Sequence, residues 1–137
     1  MTDPISTIDN AGLSKNIDKV LIANRGAIAC RIMRTLDAMG KQSVAIYAED
    51  DVDSQHIDLA DEAYSLGDGL VADTYLNQEK ILVIAVQAGA KAIHPGYGFL
   101  SENADFEKRC AELGIAFLGP TGDQINVFGL KLSLIHI

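Results

Sequence analysis

Four stretches of this chain bring together residue types that could do chemistry. The first is "HPGYG" at residues 94–98, where Tyr97 stands between two glycines. Gly96 and Gly98 can take positive φ angles and add no side-chain bulk, so the ring would project from bare backbone, as contact with a planar ligand requires. His94 has no cysteine or serine nucleophile near it in sequence, which leaves a hydrogen-bonded structural role rather than a triad. The second stretch is the turn Asn24-Arg25-Gly26. It lacks the three glycines of a GxGxxG fingerprint and so gives a nicotinamide cofactor poor support. Free amides at a helix start, with the Arg25 charge beside them, could hold an anion. Phosphate contact and a plain structural turn stay equally open there. The third stretch, "EDDVDSQH" at 49–56, gathers four carboxylates but lacks the glycine and the third acidic ligand of a calcium loop. It reads as a solvated acidic loop, with His56 on its surface or half-buried. The fourth is the pair Cys30 and Cys110, which have no partners at zinc or redox spacing and read as reduced, apolar thiols.

Positioning these residues requires regular elements around them. "KVLIAN" (19–24) is a short apolar run ending at the "NRG" turn. Ile28, Ile32, Leu36 and Met39 then recur at helical spacing up to Gly40, a C-terminal cap. "SVAIYA" (43–48) reads as a strand and "AYSL" (63–66) as a weaker one. "ILVIAV" (81–86) could itself be a buried strand, but the unbroken run "TYLNQEKILVIAVQA" before Gly89 favours a helix. So broad an apolar surface implies packing on more than one side. "KAIHP" is a strand, "SENADFEKRCAEL" a helix capped by Ser101 or Asn103, and "IAFLG" (115–119) the last clear strand. Thr121 and Gln124 match a capping box that opens a final short helix through about Phe128. Strands alternating with helices predict a three-layer α/β Rossmann-like domain with a mainly parallel sheet. Such sheets bind ligands beyond the carboxyl ends of their strands, where "NRG", "HPGYG" and "GPTG" all fall.

Composition bounds the rest. The chain has 137 residues, 48% of them hydrophobic, and a formal net charge of −8. That length suits one domain with a real core. The negative field argues against wrapping nucleic acid. No apolar run approaches the ~18 residues of a membrane helix. The polar N-terminus lacks the pattern of a secretory signal, so residues 1–17 are expected to be a flexible leader and the protein cytoplasmic.

The segments "VLIANRGAIACRIMRTL", "ADEAYSLG", "TYLNQEKIL", "AIHPGYGFLSENADF" and "FLGP" resemble, in this order, the N-terminal part of the biotin carboxylase component of biotin-dependent carboxylases. The resemblance covers residues 18–131. It implies the Rossmann-like domain that precedes an ATP-grasp domain. It also implies a reaction in which ATP and bicarbonate form carboxyphosphate, whose carboxyl group moves to biotin on a carrier domain, with Mg2+ bridging the nucleotide phosphates. Within the family, "FGLK" (128–131) is most similar to urea carboxylases. By the same resemblance Lys131 matches a lysine that contacts ATP. Tyr97 and Gly98 match loop positions that border the biotin and bicarbonate site. Arg31 falls near a position of the homodimer contact in bacterial members.

Two departures stand out. Ala27 occupies a place where the family usually has glutamate, which removes a carboxylate at the mouth of the first helix. Residues 132–137, "LSLIHI", match nothing in the family and resemble translated sequencing adapter. The expectation is therefore an N-terminal fragment of a urea-type carboxylase, with no catalytic residue, metal ligand or tightly bound cofactor of its own and no activity alone. The alternatives are the same domain of an acetyl-CoA, propionyl-CoA or pyruvate carboxylase, a standalone nucleotide- or anion-binding module, or a regulatory partner that docks on an intact carboxylase through Arg31.

Overall fold

The computed structural model describes residues 17–101 and 103–118. Five strands make one parallel sheet: β1 (Lys19–Ile22), β2 (Gln42–Ala48), β3 (Glu62–Gly67), β4 (Ala92–His94) and β5 (Ala116–Phe117). Their spatial order is β3-β2-β1-β4-β5. The central strand β1 carries no alternation, because Val20, Leu21 and Ile22 are all fully buried; a parallel strand covered on both faces selects continuous apolar sequence. Adjacent residues nonetheless serve different cores. Leu21 and Ile93 point into one cluster, while Val20, Ile22 and Ala92 point into the other.

The helices sort by face in the same way. Helix α1 (Gly26–Ala38) buries Ala29, Ile32, Met33 and Leu36 at the expected spacing. It stops at Gly40, whose φ of 74° is left-handed. A short helix, α2 (Gln55–Leu59), packs beside α1. Helices α3 (Gln78–Ala88) and α4 (Ala104–Glu112) cover the opposite face through Ile81, Leu82, Ile84, Phe106 and Cys110. Asn77 and Asn103 cap them, each side chain accepting from the amide three residues on, Lys80 N at 3.1 Å and Phe106 N at 2.9 Å. The chain thus winds from β1 outward to β3 and then returns past β1 to β4 and β5. The reversal places β1 beside β4, with connections leaving them in opposite directions. The three-layer parallel architecture expected from the alternation is present.

Several expectations are corrected. "ILVIAV" is helical as argued, but α3 begins only at Gln78; the preceding stretch includes a 3-10 turn at Val71–Asp73. Nor is α3 enclosed, since Val83 and Val86 are 50% and 57% exposed. With Leu82 and Leu113 they line a groove of about 510 Å³ between α3 and α4, bordered by the Arg109–Glu79 ion pair. The acidic segment is structured, with a 3-10 turn at Glu49–Asp51 leading toward α2. His56 is neither superficial nor half-exposed. It sits on α2 and is fully buried, with Nε2 3.0 Å from the Ile46 carbonyl oxygen of β2. Both cysteines are buried free thiols, and burial pushes the Cys110 thiol up to about 12. The "GPTG" loop, the helix read through Phe128, Lys131 and the 132–137 ending lie outside the described residues.

Candidate functional site

The carboxyl ends of β1 and β4 adjoin at the point where the strand order reverses, the position at which open α/β sheets form a crevice. "NRG" follows β1 and "HPGYG" spans the end of β4, so two of the three glycine loops named from sequence share one rim. Asn24 joins them. Its side chain is buried, and Nδ2 donates to the Pro95 and Tyr97 carbonyl oxygens, both at 2.8 Å. Its Oδ1 accepts from the Arg25 amide at 2.8 Å.

This joint changes the explanation of the glycines. Gly96 has φ +66°, and a Cβ there would lie 2.8 Å from both Asn24 Nδ2 and Ile28 Cγ2. Its missing side chain therefore lets the two loops approach each other rather than a ligand. Gly98 fits the original reading better. It also has positive φ, +72°, but a Cβ would meet no heavy atom within 4 Å. Tyr97, between them, is 51% exposed. The loop is a backbone platform, closed toward the protein at Gly96 and open outward at Gly98. His94 is buried and its Nδ1 accepts from the Gly96 amide at 3.0 Å, which is the structural role expected for it.

Arg25 does not offer its charge to an anion at the start of α1. Its Nε and Nη2 donate to Asp51 Oδ2 and Oδ1 at 2.8 and 2.6 Å, a two-point pair that neutralises both groups. Burial raises the Asp51 carboxyl, but hydrogen bonds from Arg25 and Tyr75 and the Arg25 charge outweigh it and hold the carboxyl below its usual range. The Tyr75 hydroxyl donates to Asp51 Oδ2 at 2.6 Å and accepts from the buried Ala48 amide at 3.1 Å. Burial, with the Asp51 bond second, pushes this phenol up to about 12. The Tyr75 ring stacks on Phe99 with centroids 5.3 Å apart, and the Arg25 guanidinium lies 5.8 Å from the Tyr75 centroid. Phe99 itself takes φ 45°, a conformation rare for a bulky residue. Asn24, Asp51, Tyr75 and Phe99 thus form a frame from the ends of β1 and β2 to the far side of the "HPGYG" loop. Asn24 was named only as part of the "NRG" turn, and the other three were not singled out individually. Asp51 was indistinguishable within its acidic run, and Tyr75 fell inside a segment read as helix.

Arg31 lies on α1, partly buried; its Nε is buried without a hydrogen-bond partner among the described residues. No cluster of three or more histidine, cysteine, aspartate or glutamate residues among the described positions could hold a metal ion. Gly98 and the half-exposed Tyr97 ring lie on the open side of the loop.

Comparison with known proteins bears on this geometry. The family described as biotin carboxylase, N-terminal domain, matches residues 16–125. The mitochondrial methylcrotonoyl-CoA carboxylase subunit alpha of Mus musculus is 54% identical over 116 residues, 85% of this chain but 16% of its own length. The crystal structure of the Kluyveromyces lactis urea carboxylase superposes with a TM-score of 0.75 at 54% identity, over 83% of this chain and 10% of that one. The biotin carboxylase domain dimer of Hydrogenobacter thermophilus 2-oxoglutarate carboxylase, solved with MgADP, ADP and bicarbonate, matches 87% of this chain and 24% of its own, with a TM-score of 0.73 and 47% identity. The chain spans less than a third of the length of each of these relatives. With a matching profile over most of its residues and the same parallel sheet, the chain belongs to the biotin carboxylase N-terminal domain family.

Proposed function

We propose that this chain forms one wall of a biotin carboxylase active site, of the urea carboxylase type, and is inactive without the ATP-grasp part of such an enzyme. The observation that carries the reading is the Asn24-joined pair of loops at the strand-order reversal, which turns Tyr97 and Gly98 toward open space. In this reading Tyr97 and Gly98 border bound biotin and bicarbonate, and Lys131 contacts ATP. Biotin, when bound, supplies the ureido nitrogen that accepts the carboxyl group. The wall contributes a fixed backbone edge and a half-exposed ring against which that group is oriented, and such orientation lowers the entropic part of the barrier. Arg25, neutralised by Asp51, shapes the crevice without adding net charge to it. Magnesium arrives with the nucleotide. A homodimer contact through Arg31 and a cytoplasmic location belong to the same proposal.

The urea assignment rests on the "FGLK" segment, because identity to the urea carboxylase and to the methylcrotonoyl-CoA carboxylase subunit is the same 54%. Replacing the matching segment of the K. lactis urea carboxylase by residues 17–118 tests the wall. The chimaera is expected to keep biotin- and bicarbonate-dependent ATP hydrolysis, and a folded but inactive chimaera would refute the reading. For the chain alone, calorimetry with MgATP is expected to give only weak binding. Micromolar affinity would favour the second reading, a standalone nucleotide-binding module.

A further inference from the structure

We propose that Asn24 is a positioning residue that sets the conformation of the loop at residues 95–98, and through it the outward placement of Tyr97 and Gly98. The proposal rests on the reading of this loop as the biotin-facing wall, but it concerns how the loop is held. Three residues within four positions are left-handed: Gly96 at φ +66°, Gly98 at +72° and Phe99 at +45°. The glycines take such angles freely, but Phe99 does so at a cost and keeps it only where its surroundings over-determine it. The Tyr75–Phe99 stack secures its far end. At the near end the carbonyls of Pro95 and Tyr97 lie past the end of β4, so they find their donor outside the sheet ladder.

Asn24 supplies that donor from the segment just past β1, two residues beyond Ile22. Both bonds from Nδ2 measure 2.8 Å, and Oδ1 is taken by the Arg25 amide, so its hydrogen-bonding groups are engaged in three directions at once. A short amide meets this requirement because it carries two donor hydrogens and an acceptor on one planar group. Aspartate has the shape without the donors, serine is too short, and glutamine would push an extra methylene toward Gly96. The contact is reciprocal. The space that Asn24 Nδ2 and Ile28 Cγ2 occupy is the space a Cβ at position 96 would need. Asn24 and Gly96 therefore act as a single joint between the two loops.

Amide hydrogen exchange by NMR on the full 137-residue chain tests this, with no nucleotide or biotin present. The reporters are the amides of residues 96–101, which include the Gly96 bond to His94 Nδ1 at 3.0 Å and the Ser101 bond to Gly98 O at 2.9 Å. In Asn24→Asp, which keeps the acceptor for Arg25 and removes both donors, they are expected to exchange about tenfold faster or more, relative to amides of β2 and α3. Gly96→Ala, which disturbs the joint from the other side, is expected to do the same and to shift the Tyr97 ring resonances in the same sense. The double variant should lose no more protection than the worse single one. Gly98→Ala, which touches nothing at Asn24, should add its effect independently. If Asn24→Asp does not fold, the Gly96→Ala and Gly98→Ala pair carries the test alone: equal Tyr97 shifts and loop loosening in both would overturn the joint. Acceleration shared equally by loop and sheet in Asn24→Asp would show a merely structural residue. Unchanged loop protection would also end the proposal. Either result leaves the biotin carboxylase reading to the chimaera and calorimetry.

Discussion

The Tyr75 hydroxyl offers the sharpest energetic test of the frame around the crevice. Tyr75→Phe removes one atom while keeping the buried ring and its stack on Phe99. Two bonds disappear. The Ala48 amide loses a partner at 3.1 Å in a buried setting, and a buried donor left alone costs about 1–3 kcal/mol. The bond to the ionised Asp51 at 2.6 Å is of the charge-assisted kind, worth about 1.5–3 kcal/mol, but Asp51 keeps Arg25, so only part of that is lost. The two effects share one hydroxyl and overlap, giving an expected loss of about 2–3 kcal/mol. Urea denaturation followed by far-ultraviolet circular dichroism would read this. With a slope of about 1–3 kcal/mol/M for a domain of this size, the midpoint should fall by about 0.7–3 M with the slope unchanged. A loss below about 0.5 kcal/mol, the range of an ordinary surface change, would refute the assignment of Tyr75 as the link between β2 and Asp51.

Other outcomes follow from the same structure. Asp51 is held below its ordinary value when folded, so the stability it contributes is present above the unfolded carboxyl range and is lost as pH falls through the lower folded value. Denaturation midpoints measured from pH 7 downward should therefore drop in the acid region below about pH 4, and Asp51→Asn should flatten that part of the curve. A variant with the same acid slope as the wild type would contradict the pairing. The Cys110 thiol, pushed up to about 12, should resist a disulfide reagent at pH 8 in the folded chain and react promptly once denatured. Rapid labelling of the native protein would show that the α4 core opens. Asn103→Ala should cost about 1 kcal/mol by uncapping α4, and Gly89→Ala a comparable amount by forcing a side chain to φ +73° with no clash to add. Thermal melts compare the two, and a Gly89→Ala loss above about 3 kcal/mol would mean a steric contact that the structure lacks.

Much of the fold could be read directly from the chain. β1 is continuously apolar, α1 repeats its apolar residues every three or four positions, and glycines punctuate the helix ends at positions 40, 89 and 114. These are local signals, since each depends on neighbours within a turn or a strand. The family pattern was equally local, carried by contiguous segments such as "HPGYGFLSEN". The tertiary structure was needed wherever a residue's partner lies far along the chain. His56 looked superficial because its loop is acidic, yet it is sealed against β2. The "NRG" turn stayed open between anion contact and a plain structural turn until Asp51, 26 positions away, proved to hold Arg25. The exposed valines of α3 escaped a reading that counts apolar residues without knowing which face meets the sheet.

The opening of Gly98 and the closure of Gly96 mark that division most clearly. Residue type alone established that both positions tolerate positive φ, because the absent Cβ is a property of glycine in any context. Only the folded chain decided that one faces space and the other faces Asn24, 72 residues earlier. That choice depends on β1 and β4 becoming neighbours in the sheet, and strand adjacency is set by the packing of helices on both faces rather than by the sequence between the two loops.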